Sequence, residues 1–248
     1  MHRYLQVSSE ALYSFELNLM LRSLNINMRH IPNQRLPVTL NMLHDIVNLC
    51  DTMHVLGKVI KCAILFGFYG FLRQSNLTPA SHTSFDPTRN TCRGDVIMHR
   101  PGLVLILKWS KTSQSSCKHA LIPIPEVHRH ELCPVAAFQT MVKAIPARPN
   151  EPLFLIPRSG RYVTLTTGTL SKLFNALLTD LGYNLSQYSL HSLRRGGATA
   201  AYQAGADFLN IQRHGTWSSD SFWRYISTEG LASSQISKAL SHHVALNC

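Results

Sequence analysis

Apolar residues recur along this chain with two different periods. Over residues 10–24, Leu12, Phe15, Leu19 and Leu24 fall at roughly helical spacing. A polar stretch holding Pro32 and Pro37 follows, which predicts a connector over 25–37. Thr39 stands where an N-cap belongs, ahead of Leu40, Leu43, Ile46, Val47 and Leu49. The next segment, about 54–68, is apolar nearly all round and predicts a buried helix. Gly67 and Gly70 close it, and a new element begins at Phe71.

From 95 to 125 the period changes to two. Val96-Ile97-Met98, then 103–109, then 120–124 predict three short strands. Pro101-Gly102 makes the first turn. The second turn, 110–118 (SKTSQSSCK), is polar and basic with nothing to bury, which predicts a mobile hairpin tip. Helical spacing then returns. A helix is expected over 130–145, opened near Pro134. Thr169 is expected to cap another, whose stripe of Leu170, Leu173, Phe174, Leu177, Leu178 and Leu181 ends at Gly182. A helix beginning at Ser189 or His191 should end by Gly205, and one capped by Asp207 should end at Gly215. Ser218 or Ser219 caps a last turn bearing Tyr225, and a weakly apolar helix follows in the tail. The succession is α+β, mainly α, with one small antiparallel three-stranded sheet. No internal repeat or low-complexity tract interrupts it.

Composition narrows the class. The 248 residues are 45% hydrophobic, enough for a sizeable core. Twenty-four lysines and arginines against 13 acids give a net charge of +11, which favours a polyanionic partner, nucleic acid first. The six cysteines are scattered, with no C-x-x-C pair and no zinc spacing, so we expect free thiols, a reducing compartment and no metal. His242-His243 in the tail reads as solvated. No apolar run approaches the length of a membrane span.

The candidate chemistry lies between His191 and Tyr225. His191 and Arg194, three apart, share a helix face, and Gly215-Thr216-Trp217 makes a corner before Tyr225. Arginine grips a phosphate oxygen through two donors, histidine moves protons near neutral pH, and tyrosine can act as a nucleophile. Arg73 joins them as an arginine placed directly after an apolar helix, a position that calls for an anionic partner. A structural salt bridge to a nearby carboxylate would satisfy it equally well.

The pattern H-x-L-R, then G-x-W and a tyrosine eight residues later, resembles the tyrosine recombinase (phage integrase) family. It looks most like the eukaryotic, retroelement-associated branch. G-x-x-R-x-S around Arg73 resembles that family's first arginine motif, with Asn76 where the family usually has glutamate. Lys111 resembles its catalytic lysine, carried on such a hairpin tip; Lys108 and Lys118 are rivals for that role. Trp217 takes a place usually held by histidine. The family's usual spacing from there to the tyrosine is nine, and His214, the rival, lies eleven before Tyr225.

The resemblance implies a recombinase-like helical catalytic domain over 38–248. It casts 1–37 as a helix and connector left from a DNA-clamping domain. It implies breakage and rejoining of double-stranded DNA through a 3′-phosphotyrosyl link, without cofactor or metal, by a homo-tetramer assembled on DNA in the nucleus. Arg73 and Arg194 would clamp the phosphate, His191 would share the tyrosine proton, and Lys111 would protonate the departing 5′ oxygen. Trp217 would bind phosphate or buttress the site, and Tyr225 would attack. Lys108, Lys118, Arg195, Arg213 and His214 are the further candidates for DNA contact. The segment past Tyr225 would dock on a neighbouring subunit. Two other readings stand beside this one: a transposon-derived DNA-binding protein that keeps the fold without recombining, and a type IB topoisomerase.

Overall fold

A computed structural model describes residues 35–51, 53–108 and 119–217. These residues all lie in one compact unit that begins at Arg35. The expected helix over 10–24, the hairpin tip with Lys111 and Lys118, and everything from Ser218 through Tyr225 to the tail lie outside them.

Helix α1 (Leu40–Asp51) starts where the cap was expected, with the Thr39 hydroxyl accepting from Met42 N at 3.3 Å. Helix α2 (His54–Tyr69) is the centre of the molecule. Its run from Val59 to Phe68 is buried except at Lys61, as a helix apolar on nearly all faces requires. Helices α1, α4 (Pro134–Ala144) and α6 (His191–Gln203) pack around it. The short helix α3 (Gln74–Leu77) follows the corner at the end of α2. Helix α5 (Thr167–Asp180) buries Leu170, Phe174, Leu177 and Leu178, and α7 (Phe208–His214) closes the described chain.

The expected sheet is present: β1 (Val96–His99), β2 (Gly102–Leu107) and β3 (Ala120–Pro125) form an antiparallel meander. Leu103, Leu105, Leu107, Ile122 and Ile124 face the core, as the period of two predicts.

Two helix starts and one sheet differ from the sequence reading. Helix α4 opens at Pro134, as expected, but residues 130–133 lie before it, because the Cys133 thiol takes the cap position and accepts from Ala136 N. Helix α5 is capped by Thr166, whose hydroxyl accepts from Thr169 N at 3.3 Å, so Thr169 is inside the first turn. A second sheet, the hairpin β4 (Leu155–Arg158) and β5 (Arg161–Thr164), was not expected. Cys50, Cys62, Cys92 and Cys133 are buried thiols outside any disulfide. Among the described residues, no helix is long and apolar enough to cross a membrane, and no cluster of His, Cys, Asp or Glu could hold a metal ion.

Candidate active site

The site forms where α6 meets the ends of α2 and α7. Gly197 makes this possible. A Cβ there would sit 2.7 Å from Phe71 Cδ1 and closer still to the Phe68 carbonyl, so α6 approaches α2 backbone to backbone. Arg194, three residues earlier on the same face, is carried by this contact into the corner beyond α2.

Helices α2 and α7 end in the same way. After α2, Phe71 N donates to Phe68 O at 3.3 Å and Leu72 N to Gly67 O at 3.1 Å, with Phe71 at φ 46°. After α7, Thr216 N donates to Arg213 O at 3.0 Å and Trp217 N to Gln212 O at 3.1 Å, with Thr216 at φ 53°. Each pair is a Schellman closure. Arg194 joins the two: one terminal nitrogen donates to Phe71 O, the other to Gly215 O at 2.7 Å. Its guanidinium is 1% exposed, and the negative ends of two helix dipoles face it. The Trp217 ring stacks on it, 3.9 Å from Cζ to the ring centroid. Trp217 thus buttresses the arginine.

Arg73 stands at the N-cap of α3, half-buried, with Nη1 3.5 Å from Thr216 Oγ1. No carboxylate among the described residues lies within salt-bridge distance of it, so none of them supplies the structural ion pair weighed from sequence. Asn76, in the place of the usual glutamate, is buried in α3 and bonds the Arg73 carbonyl through its backbone N–H at 2.8 Å.

His191 opens α6 beside these arginines. The residue is exposed overall, but its packed surroundings first, and then the charges of Arg194, Arg195 and Arg73, push its pKa down to about 4. Its outer face meets water, which screens part of this effect. A neutral imidazole can accept a proton, and the surrounding positive charge suits an anion.

Two of the expected DNA contacts are otherwise engaged. Lys108 Nζ bonds Asp95 Oδ2 at 2.8 Å and the Pro87 carbonyl at 2.8 Å. Burial alone would lower its pKa, but Asp95 and Cys92 together outweigh that and raise it. His214 turns inward. Its Nε2 lies 2.8 Å from Tyr69 O and its ring meets Phe71 edge-on at 4.6 Å. Burial, chiefly, lowers its pKa. Arg195 is half-buried beside His191, and Arg213 is exposed on the last turn of α7. Lys111, Lys118 and Tyr225 lie outside the described residues.

The residue missed from sequence is Thr216. It, not Trp217, stands nine residues before Tyr225, and the count was the available signal.

A mainly helical domain with small antiparallel sheets is the tyrosine recombinase catalytic-domain fold. Over 180 residues the chain is 27% identical to an integrase/recombinase xerD homolog of Selenomonas ruminantium, covering 71% of this chain and 49% of that protein. Among solved structures it is similar to the XerH site-specific recombinase bound to difH substrate (TM-score 0.55, 16% identity, 77% of this chain and 50% of that one). It is also similar to a lambda integrase dimer bound to a COC′ core site (TM-score 0.56, 16%, 80% and 50%) and to XerA recombinase (0.54, 15%, 86% and 65%). The chain thus spans about half the length of the curated relative it matches. No protein-family model matches the sequence. Sequence and fold together support the tyrosine recombinase/integrase family.

Proposed function

We propose that this chain carries the catalytic part of a site-specific DNA recombinase, which breaks and rejoins strands through Tyr225. The convergence of Arg73, His191 and Arg194 on one corner, from segments more than a hundred residues apart, carries the reading. Arg73 offers N–H donors at the surface, and Arg194 adds positive charge from beneath, where little water dilutes it. Charge gathering on a phosphate oxygen in the transition state is thereby stabilised.

In the reaction, the Tyr225 oxygen forms a bond to phosphorus and the bond to the 5′ oxygen breaks. Tyrosine ordinarily holds its proton until about pH 10, so a nearby base is required. His191 is neutral in the free protein and can accept that proton once the incoming phosphate offsets the arginine charges that lower its basicity. Lys111 returns a proton to the departing 5′ oxygen. The phosphotyrosyl link conserves the bond energy, and a second 5′ hydroxyl reverses the step without metal or nucleotide. The relatives' structures on DNA and the net charge of +11 support double-stranded DNA as partner. A lambda integrase tetramer on a Holliday junction supports assembly as a tetramer. The G-x-W spacing to Tyr225 supports the retroelement-associated branch and, through it, work in the nucleus.

The test uses a randomised pool of nicked suicide duplexes. We expect an SDS-resistant protein–DNA adduct that is lost in Tyr225→Phe. DNA binding with no adduct from any duplex in the pool would instead mark a binding protein that keeps the fold without the reaction.

A further inference from the structure

Helices α2, α5, α6 and α7 all end in the Schellman closure, but they differ at its left-handed position. After α5 and α6 that position is Gly182 and Gly205, at φ 77° and 87°. After α2 and α7 it is Phe71 and Thr216, at φ 46° and 53°. Glycine takes this conformation freely, whereas a bulky side chain such as phenylalanine or a β-branched one such as threonine is strained in it. The two strained closures are the two that enclose Arg194.

Phe71 has a packing reason to be there, since its ring meets His214 at 4.6 Å and Trp217 at 6.3 Å. Thr216 has a polar one, its hydroxyl 3.5 Å from Arg73 Nη1. That distance is the outer limit of a hydrogen bond, as is common before substrate tightens a site.

We propose that Thr216 is a positioning residue, strained so that its hydroxyl holds the Arg73 guanidinium toward Arg194 and His191. A long side chain with several free torsions would otherwise have to be ordered each time a phosphate arrives. The proposal rests on the phosphodiester reading above, but its contact exists in the free protein and can be tested there.

The experiment compares Thr216→Gly and Thr216→Ser with the wild-type full chain. Glycine relieves the left-handed strain, so Thr216→Gly should melt roughly 2–4 °C higher. It should form adduct on the captured suicide duplexes about tenfold more slowly or worse. Serine keeps the hydroxyl, so Thr216→Ser should stay within about threefold of wild type. A merely structural threonine would lose stability and activity together. A second readout needs no reaction: the order of the Arg73 Nε–H group, by nitrogen-15 relaxation in DNA-free protein, should fall in the glycine variant and hold in the serine variant. The proposal is overturned if Thr216→Gly reacts at the wild-type rate, if serine rescues nothing, or if Arg73 is equally ordered in all three. An Arg73 that loosens on loss of the hydroxyl, with no adduct from wild type, would uphold the contact and sink the recombinase reading alone.

Discussion

Trp217 reaches Arg194 by folding back over residue 215, which has room for it only because it is glycine. A Cβ on Gly215 would fall inside the indole ring, 2.5 Å from Cη2 and nearer to its neighbours. Gly215→Ala should therefore drive the ring off the guanidinium and uncover a buried charge. Trp217→Ala removes the ring itself, 7% exposed in the fold, and should cost about 3–5 kcal/mol in urea unfolding. His191 gives a prediction in pH. Its folded pKa is depressed from 6.5 to about 4, so the fold favours the neutral ring. The stability this contributes is fully present above about pH 6.5 and is lost as pH falls toward 4. The melting temperature of wild type, measured against that of His191→Gln across this window, should fall more steeply with acid. Parallel curves would show that the arginines do not act on this ring.

Among the elements, glycine substitutions separate contact from propensity. Gly197→Ala puts a methyl group against the Phe68 carbonyl and the Phe71 ring, so α6 must lift from α2, at a cost of about 1–3 kcal/mol. Gly168→Ala, in the first turn of α5 with nothing within 4 Å of a Cβ, should instead stabilise by about 0.5 kcal/mol through helix propensity. Thermal melts of the two variants should shift in opposite directions. The same contrast explains what the sequence could reveal. Helices α1, α2 and α7 were legible because Thr39 and Asp207 are ordinary caps and the apolar residues repeat at helical spacing. The start of α4 was legible from Pro134, but its cap was not, because a thiol is a rare cap. Thr166 and Thr169 are three apart, and either satisfies the cap pattern until the backbone decides between them. The β4–β5 hairpin was hidden by Pro157, a residue that argues against a strand, although Ser159-Gly160 between the strands is a turn pair with both φ values positive. Arg73, His191 and Arg194 were legible as chemistry because their residue types are scarce in such positions. Thr216 was passed over because threonine is common; the count to Tyr225 was its one signal in the sequence, and residue type does not announce its left-handed backbone.

At the scale of the whole molecule, a net charge of +11 implies that duplex DNA of any sequence should be bound, with an affinity that falls as salt rises. The logarithm of the binding constant should drop linearly with the logarithm of salt, with a slope of about −0.9 for each phosphate neutralised. Which cations contribute is a matter of geometry, not of count. Arg213 is exposed on the last turn of α7, close in sequence to the Gly215–Trp217 corner, and is free to meet a phosphate. Arg213→Ala should weaken binding evenly across sequences and reduce the slope by about one phosphate contact. Lys108 carries the same formal charge, but its ammonium is tied to Asp95 and the Pro87 carbonyl, with 22% of its side chain exposed and 11% of its partner's. Lys108→Met should leave the slope unchanged and lower the melting temperature, because Asp95 loses its cation in a place with little water. Fluorescence anisotropy over a salt series, run beside melts of both variants, measures the two effects separately. Equal loss of slope in both would mean that charge acts on DNA through the overall field, and that the placement of Arg213 near the corner has no part in it.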